Sequence, residues 1–185
     1  MTAKFNKKSE EVVAKNPYWV YKHDKYELPN GEDSDYYYAD INDFVMIVPV
    51  LDSETLVAIK EFRYLLQDYS IELPGGYCED DKTIKDSAKS ELKEETGYGV
   101  DKLEKVGSFG SSPGVMKNTT HVFWASVSKK DKQKLDESEE IEVLEMSIKK
   151  FQRLIKEDKV KHGETLGAWT LVSAKIQREV DSFNI

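Results

Sequence analysis

Between Ile71 and Val100 the chain reads IELPGGYCEDDKTIKDSAKSELKEETGYGV, and no other stretch restricts the fold as much. An apolar strand end runs into a tight Pro74-Gly75-Gly76 turn. A segment of helical period then begins near Thr83 or Ile84 and closes on Thr96-Gly97. Ile84, Ala88 and Leu92 recur at i, i+4 and i+8, one apolar stripe able to lie on a sheet. Off that stripe Glu91 and Glu95 share a helical face, with Glu94 beside them. Exposed like charges placed this way repel by a few tenths of a kcal/mol per pair, and a divalent cation reverses the sign. A metal site is one reading of the three glutamates. A solvated acidic face built from good helix formers is the other.

With 185 residues, 39% of them apolar, the chain is long enough for one domain with a real core and short for two. Residues 1–16 are polar and read as a flexible N-terminus, leaving 17–185 as a single domain. A net charge of −8 and a pI near 5.1 give no general attraction to nucleic acid or an anionic membrane. The opening MTAKFNKKSEE has no apolar leader, and the longest apolar run, Phe44 to Leu51, falls well short of the roughly 20 residues that cross a bilayer. The expectation is a soluble, cytoplasmic protein. The single cysteine, Cys78, excludes an internal disulfide and suits a reducing cytosol. His23, His121 and His162 are scattered without ligand spacing and read as ordinary structural histidines.

In chain order, Tyr18 to Leu28 and Asp35 to Asp40 read as strands joined by an Asn-Gly turn at Pro29–Glu32. This polar, aromatic hairpin must pack on its own domain or on a second copy of the chain. Phe44 to Val50 and Thr55 to Phe62 are β-forming and read as central strands. After the glutamate helix come strands at Lys105 to Phe109 and Thr119 to Val127, with Lys129 to Lys134 as a solvated linker. An acidic loop at Asp136 to Glu140 enters a further strand. Ser147 N-caps a helix through Ile155 with Phe151, Leu154 and Ile155 inward. Gly163 to Val180 forms a closing helix, packing through Leu166, Trp169, Thr170, Ala174 and Ile176. This order predicts an α/β fold, an α/β/α sandwich around a mixed β-sheet with an N-terminal β-hairpin.

From Gly76 to Tyr98 the spacing resembles the Nudix hydrolase signature: Gly, five residues, Glu, seven residues, then Arg-Glu-apolar-any-Glu-Glu-any-Gly-apolar. Gly76, Glu91, Leu92, Glu94, Glu95, Gly97 and Tyr98 fall in register. Lys82 stands where the family has its first Glu, and Ser90 where it has Arg. Glu61-Phe62-Arg63, Glu72-Leu73-Pro74-Gly75-Gly76 and Ser112-Pro113-Gly114 are similar to the branch that hydrolyses ADP-ribose and related nucleoside diphosphate sugars. The loop continues Val115-Met116-Lys117-Asn118 where that branch is often acidic, which opens the question of sugar preference.

The resemblance implies the Nudix fold and hydrolysis of a pyrophosphate bond with Mg²⁺ or Mn²⁺, giving a nucleoside monophosphate and a sugar phosphate. It implies Glu91 and Glu95 as metal ligands with the Gly75 carbonyl, and Glu139 as a further ligand. Glu137 is the implied general base, with Glu94 the alternative. Arg63, Glu72, Gly76, Trp19 and Tyr37 are the implied substrate contacts, Arg63 as a bidentate partner of the diphosphate. For Arg63 the plainer reading is an arginine paired with a nearby acid; for Trp19 and Tyr37 it is hairpin packing. The branch forms homodimers through N-terminal strands, here 17–42. A nucleotide-binding protein that has lost turnover, motivated by Lys82 and Ser90, and a pyrophosphatase of modified nucleoside triphosphates are the alternatives.

Overall fold

The structure is a computed structural model and describes residues 5–135 and 140–183. The chain divides into two compact units, residues 1–43 with 110–119, and residues 44–109 with 120–185.

The larger unit is built on a seven-stranded sheet. Strands β4 (Phe44–Val50), β5 (Thr55–Arg63), β8 (Tyr98–Phe109), β10 (Thr120–Lys130) and β11 (Ile141–Ser147) run in the order β11-β5-β4-β10-β8. Strand β6 (Asp68–Glu72) adds to β5, and β7 (Gly75–Tyr77) adds to β4. The β4–β10 pair is parallel and the other pairs are antiparallel, so the sheet is mixed, as expected.

Alternation along β4 sorts the two faces. Val45 and Ile47 pack with Ala88 and Leu92 of helix α1 (Ile84–Thr96). Met46, Val48 and Val50 pack with Phe151 of α2 (Ile148–Lys156) and with Ala168, Trp169 and Val172 of α3 (Gly163–Phe183). Since side chains alternate across a strand, this places α1 on one side of the sheet and α2 and α3 on the other, the α/β/α sandwich read from the sequence. Leu92 is fully buried, and its truncation to Ala would cost about 2–5 kcal/mol. On α3 the buried stripe runs through Thr165, Ala168, Trp169 and Val172, whereas Thr170 and Ala174 are exposed. Leu166 and Trp169 pack on the core as expected, while Thr170 and Ala174 lie off the packing face, because the small and apolar residues that fill the first turns of α3 leave its phase weakly marked.

The smaller unit holds a second sheet, β1 (Asn6–Lys15), β2 (Trp19–Glu27), β3 (Asp33–Ile41) and β9 (Met116–Lys117), in that order. The β2–β3 hairpin turns at Gly31, whose φ of 88° suits the glycine of the Asn-Gly pair. Residues 6–15, expected to be flexible, instead pair antiparallel with β2. Cross-strand charges accompany the pairing, with Lys7 2.9 Å from Asp24, Lys8 3.1 Å from Glu27 and Glu10 3.0 Å from Lys22. All ten residues of β1 are exposed, so no buried face imposed an apolar alternation on the sequence.

The Gly75-Gly76 step, expected as a turn, is short strand β7 with Met46 opposite Gly75 and Val45 opposite Gly76. Strand β8 starts seven residues earlier than expected, at Tyr98 rather than Lys105, and β10 continues through Lys130 into the segment read as linker. Among the described residues no helix is long and apolar enough to cross a membrane.

Candidate active site

Helix α1 is delimited by its own caps. Thr83, extended at φ −71° and ψ 152°, accepts the Asp86 N–H, and Gly97 at φ 76° turns the chain out. A side chain at Gly97 would also meet the Asp131 carbonyl at 2.2 Å, so this cap tolerates only glycine. Both ends being fixed, the rotational phase of the helix is fixed with them. Ala88 and Leu92 point into the sheet while Glu91 and Glu95 turn toward β7.

The contact with β7 is close. Glu95 is buried, 4% exposed, and its Oε2 accepts the Gly75 N–H at 2.9 Å. The Glu91 carboxylate lies over Gly76, where a Cβ would stand 2.4 Å from its Oε2. A Cβ on Gly75 would stand 2.2 Å from the Val45 carbonyl. At Gly75 a side chain would meet backbone, and at Gly76, the glycine of the motif, it would push the Glu91 carboxylate aside. The observed contact of Gly75 with the cluster is made through its N–H; the expectation assigned its carbonyl. Glu94, half-buried, is on the neighbouring face, and its backbone carbonyl accepts the Lys134 N–H at 2.9 Å.

Beside this pair lies a second charged group. Glu72 ends β6 only 1% exposed, and Arg63, ending β5, grips it with Nε at 2.9 Å and Nη2 at 2.5 Å. Arg63 Nη1 also sits 2.8 Å from Glu61, and the guanidinium feels the charge of Glu95. The two-point face expected to meet a diphosphate is thus held by Glu72. What Arg63 offers outward is its remaining Nη hydrogens. Glu72 itself is enclosed by protein.

The histidine read as structural completes this group. His162, just before α3, places Nδ1 2.9 Å from Glu72 Oε2 and 3.1 Å from Thr165 Oγ1, and Nε2 3.0 Å from Glu164. Thr165 Oγ1 in turn accepts the Leu73 N–H at 3.0 Å. Burial alone would lower the pKa of His162, but its bonds to Glu164 and Glu72 outweigh it and raise the value to about 9. Burial would raise that of Glu72, yet hydrogen bonds from Arg63 and His162 hold it at about 2. His162 pairs with Glu72 across ninety positions of sequence, and its immediate neighbours carry no motif that announces the contact.

Trp19 and Tyr37 belong to the smaller unit. Trp19 meets Tyr21 edge-on at 6.4 Å, and Tyr37 stacks on His23 at 4.3 Å and on Tyr21 at 6.1 Å. Both aromatics are partly exposed, and the packing is of the plain hairpin kind. Glu137 and Glu139 lie outside the described residues.

The NUDIX domain profile matches residues 41–167, more than half of the chain. The chain belongs to the Nudix hydrolase family. Among curated proteins of this family's kind, an ADP-ribose pyrophosphatase of Bacillus subtilis (strain 168) is 33% identical over 141 residues, 75% of this chain and 76% of that protein. A methanol dehydrogenase activator of Bacillus methanolicus is 30% identical over 77% of this chain and 78% of its own length. An ADP-sugar pyrophosphatase of Mus musculus is 28% identical over 66% and 62%. Among solved structures, an ADP compounds hydrolase superposes with a TM-score of 0.83 over 95% of this chain and 96% of its own, at 21% identity, a likeness of fold.

Nudix hydrolases in general use divalent metal ions. Among the described residues no three acidic, histidine or cysteine side chains form a ready-made cage for one. The donors that α1 does bring to β7, the Glu91 and Glu95 carboxylates, are hard oxygen ligands and fit a hard divalent cation.

Proposed function

We propose that this chain hydrolyses the pyrophosphate bond of ADP-ribose or a related nucleoside diphosphate sugar. Water adds to one phosphorus, the bridging P–O bond breaks, and a nucleoside monophosphate and a sugar phosphate leave. The observation that carries this reading is the seating of Glu91 and Glu95 against the Gly75-Gly76 strand, with Arg63 alongside. Relatives named ADP-ribose, ADP-sugar and GDP-mannose pyrophosphatases support the substrate class.

Glu91 and Glu95 would hold Mg²⁺ or Mn²⁺, with Glu139 and the Gly75 carbonyl as further donors. Bound there, the ion supplies charge neutralisation on the phosphate oxygens and acidifies a water. The protein's own work is positional. Gly75 N–H fixes one Glu95 oxygen, and the missing side chain at Gly76 leaves room for Glu91. Glu137, or Glu94 in its place, would accept the proton of the attacking water. The outward Nη hydrogens of Arg63 would meet a phosphate oxygen. Trp19 and Tyr37 are proposed as base contacts, strands 17–42 as the contact of a homodimer, and the cytoplasm as the place of action.

The test is purified protein with Mg²⁺, a panel of nucleoside diphosphate sugars and mass-resolved products. Adenosine monophosphate and ribose 5-phosphate from ADP-ribose are the expected result, and no monophosphate from any member would overturn the reading. A second reading, a Nudix-fold protein that binds nucleotide without turnover, is favoured by Lys82 and Ser90 alone. Calorimetric binding of ADP-ribose with no product formed would select it.

A further inference from the structure

The two departures from the Nudix motif are neighbours in space. The Lys82 ammonium donates to Ser90 Oγ at 3.1 Å and to Glu79 Oε1 at 2.7 Å. A turn closed by the Lys82 N–H on the Glu79 carbonyl at 3.2 Å presents the side chain, immediately before the Thr83 cap of α1. Ser90 directly precedes Glu91 and stands one helical turn before Glu94, on the Glu94 face. The ammonium holds its proton more tightly than usual through its bond to Glu79, which outweighs burial, and the charges of Glu79, Glu94 and Asp81 add to the effect.

We infer that Lys82 and Ser90 act as one coupled positioning pair, docking the 77–82 loop onto α1 and stationing a fixed positive charge beside Glu94. The motif has an acid at the first position and a base at the second. Here the base stands at the first, a hydroxyl at the second, and Glu79 supplies the acid. Reverting one position is therefore no repair. Ser90→Arg brings a guanidinium against the Lys82 ammonium. Lys82→Glu brings a carboxylate against Glu79 and Glu94. Only the double reversion places opposite charges at the two motif positions.

The inference rests on the hydrolase reading for its rate measurement alone. The first test is a double-mutant cycle on Lys82→Glu, Ser90→Arg and the pair together, read in kcat/KM and in urea midpoints. Each single variant should lose about tenfold in kcat/KM and the double should return to within about threefold of the parent. The second test titrates Mn²⁺ by electron paramagnetic resonance without nucleotide. Lys82→Met, mild in volume and partly exposed, should tighten Mn²⁺ about fivefold by removing the neighbouring cation. Single effects that simply multiply in the double variant, or an unchanged Mn²⁺ affinity in Lys82→Met, would overturn the pairing. If no substrate is turned over, the urea cycle and the Mn²⁺ titration still decide it.

Discussion

Arg63 closes a two-point grip on Glu72, Nε at 2.9 Å and Nη2 at 2.5 Å, around a carboxylate that is almost wholly buried. Such a pair adds modest net stability, and without Arg63 the buried carboxylate keeps His162 as its cationic partner. Arg63→Ala is expected to lower the unfolding free energy by about 1.5–3 kcal/mol, measured in urea. Arg63→Lys keeps the charge and loses the planar fork, and should fall between the two.

The same group sets a pH dependence with opposite signs on its two sides. His162 is raised from 6.5 to about 9 by folding, so its contribution is complete below about pH 6.5 and is lost as the pH climbs through 9. Glu72 is lowered from 4.5 to about 2, so its contribution is complete above about pH 4.5 and is lost as the pH falls toward 2. Parent protein should lose on the order of 3 kcal/mol of stability between pH 6 and pH 10 through His162, and His162→Gln should flatten that limb. Urea midpoints across the range, compared between the two proteins, check it.

The adjacent glycines predict different failures. At Gly75 an added methyl meets backbone, the Val45 carbonyl, and Gly75→Ala should cost more than about 2 kcal/mol of stability. At Gly76 it meets the end of a movable side chain. Gly76→Ala should cost less than about 1 kcal/mol while displacing Glu91 and cutting kcat/KM about a hundredfold. Thermal unfolding and steady-state rates on the same two preparations separate the effects.

Removing one carboxylate of the pair tests the metal directly. Glu91→Gln and Glu95→Gln should each lower kcat about a thousandfold, on the order of 4 kcal/mol in the barrier. A chelator should abolish the parent's activity and added Mg²⁺ restore it.

What the sequence discloses is local. Thr83, Gly97 and the stripe of Ile84, Ala88 and Leu92 mark α1 because caps and period are written within one helix. Phe44–Val50 is equally plain, an apolar run with β-forming residues. Strand β1 is not legible, since its pairing rests on backbone and surface charge. Nor is His162, whose meaning arises only when α3 meets β6. Arg63 stands out in the sequence, and pairing with a nearby acid is one of its two readings there, but which acid is not legible, because Glu72 becomes its neighbour only through the β5–β6 hairpin.

Strand β4 carries a consequence for tolerance to change. Its odd positions face one layer and its even positions the other, and β7 is keyed to it with Val45 opposite Gly76. A slide of one residue along that seam would bring Pro74 or Tyr77 to a place where the Val45 carbonyl and the Glu91 carboxylate leave room for glycine alone. The placement of the carboxylates over the glycines is thereby gauged by a backbone seam that never touches a reactant, much as a ruler's notches locate a mark they do not make.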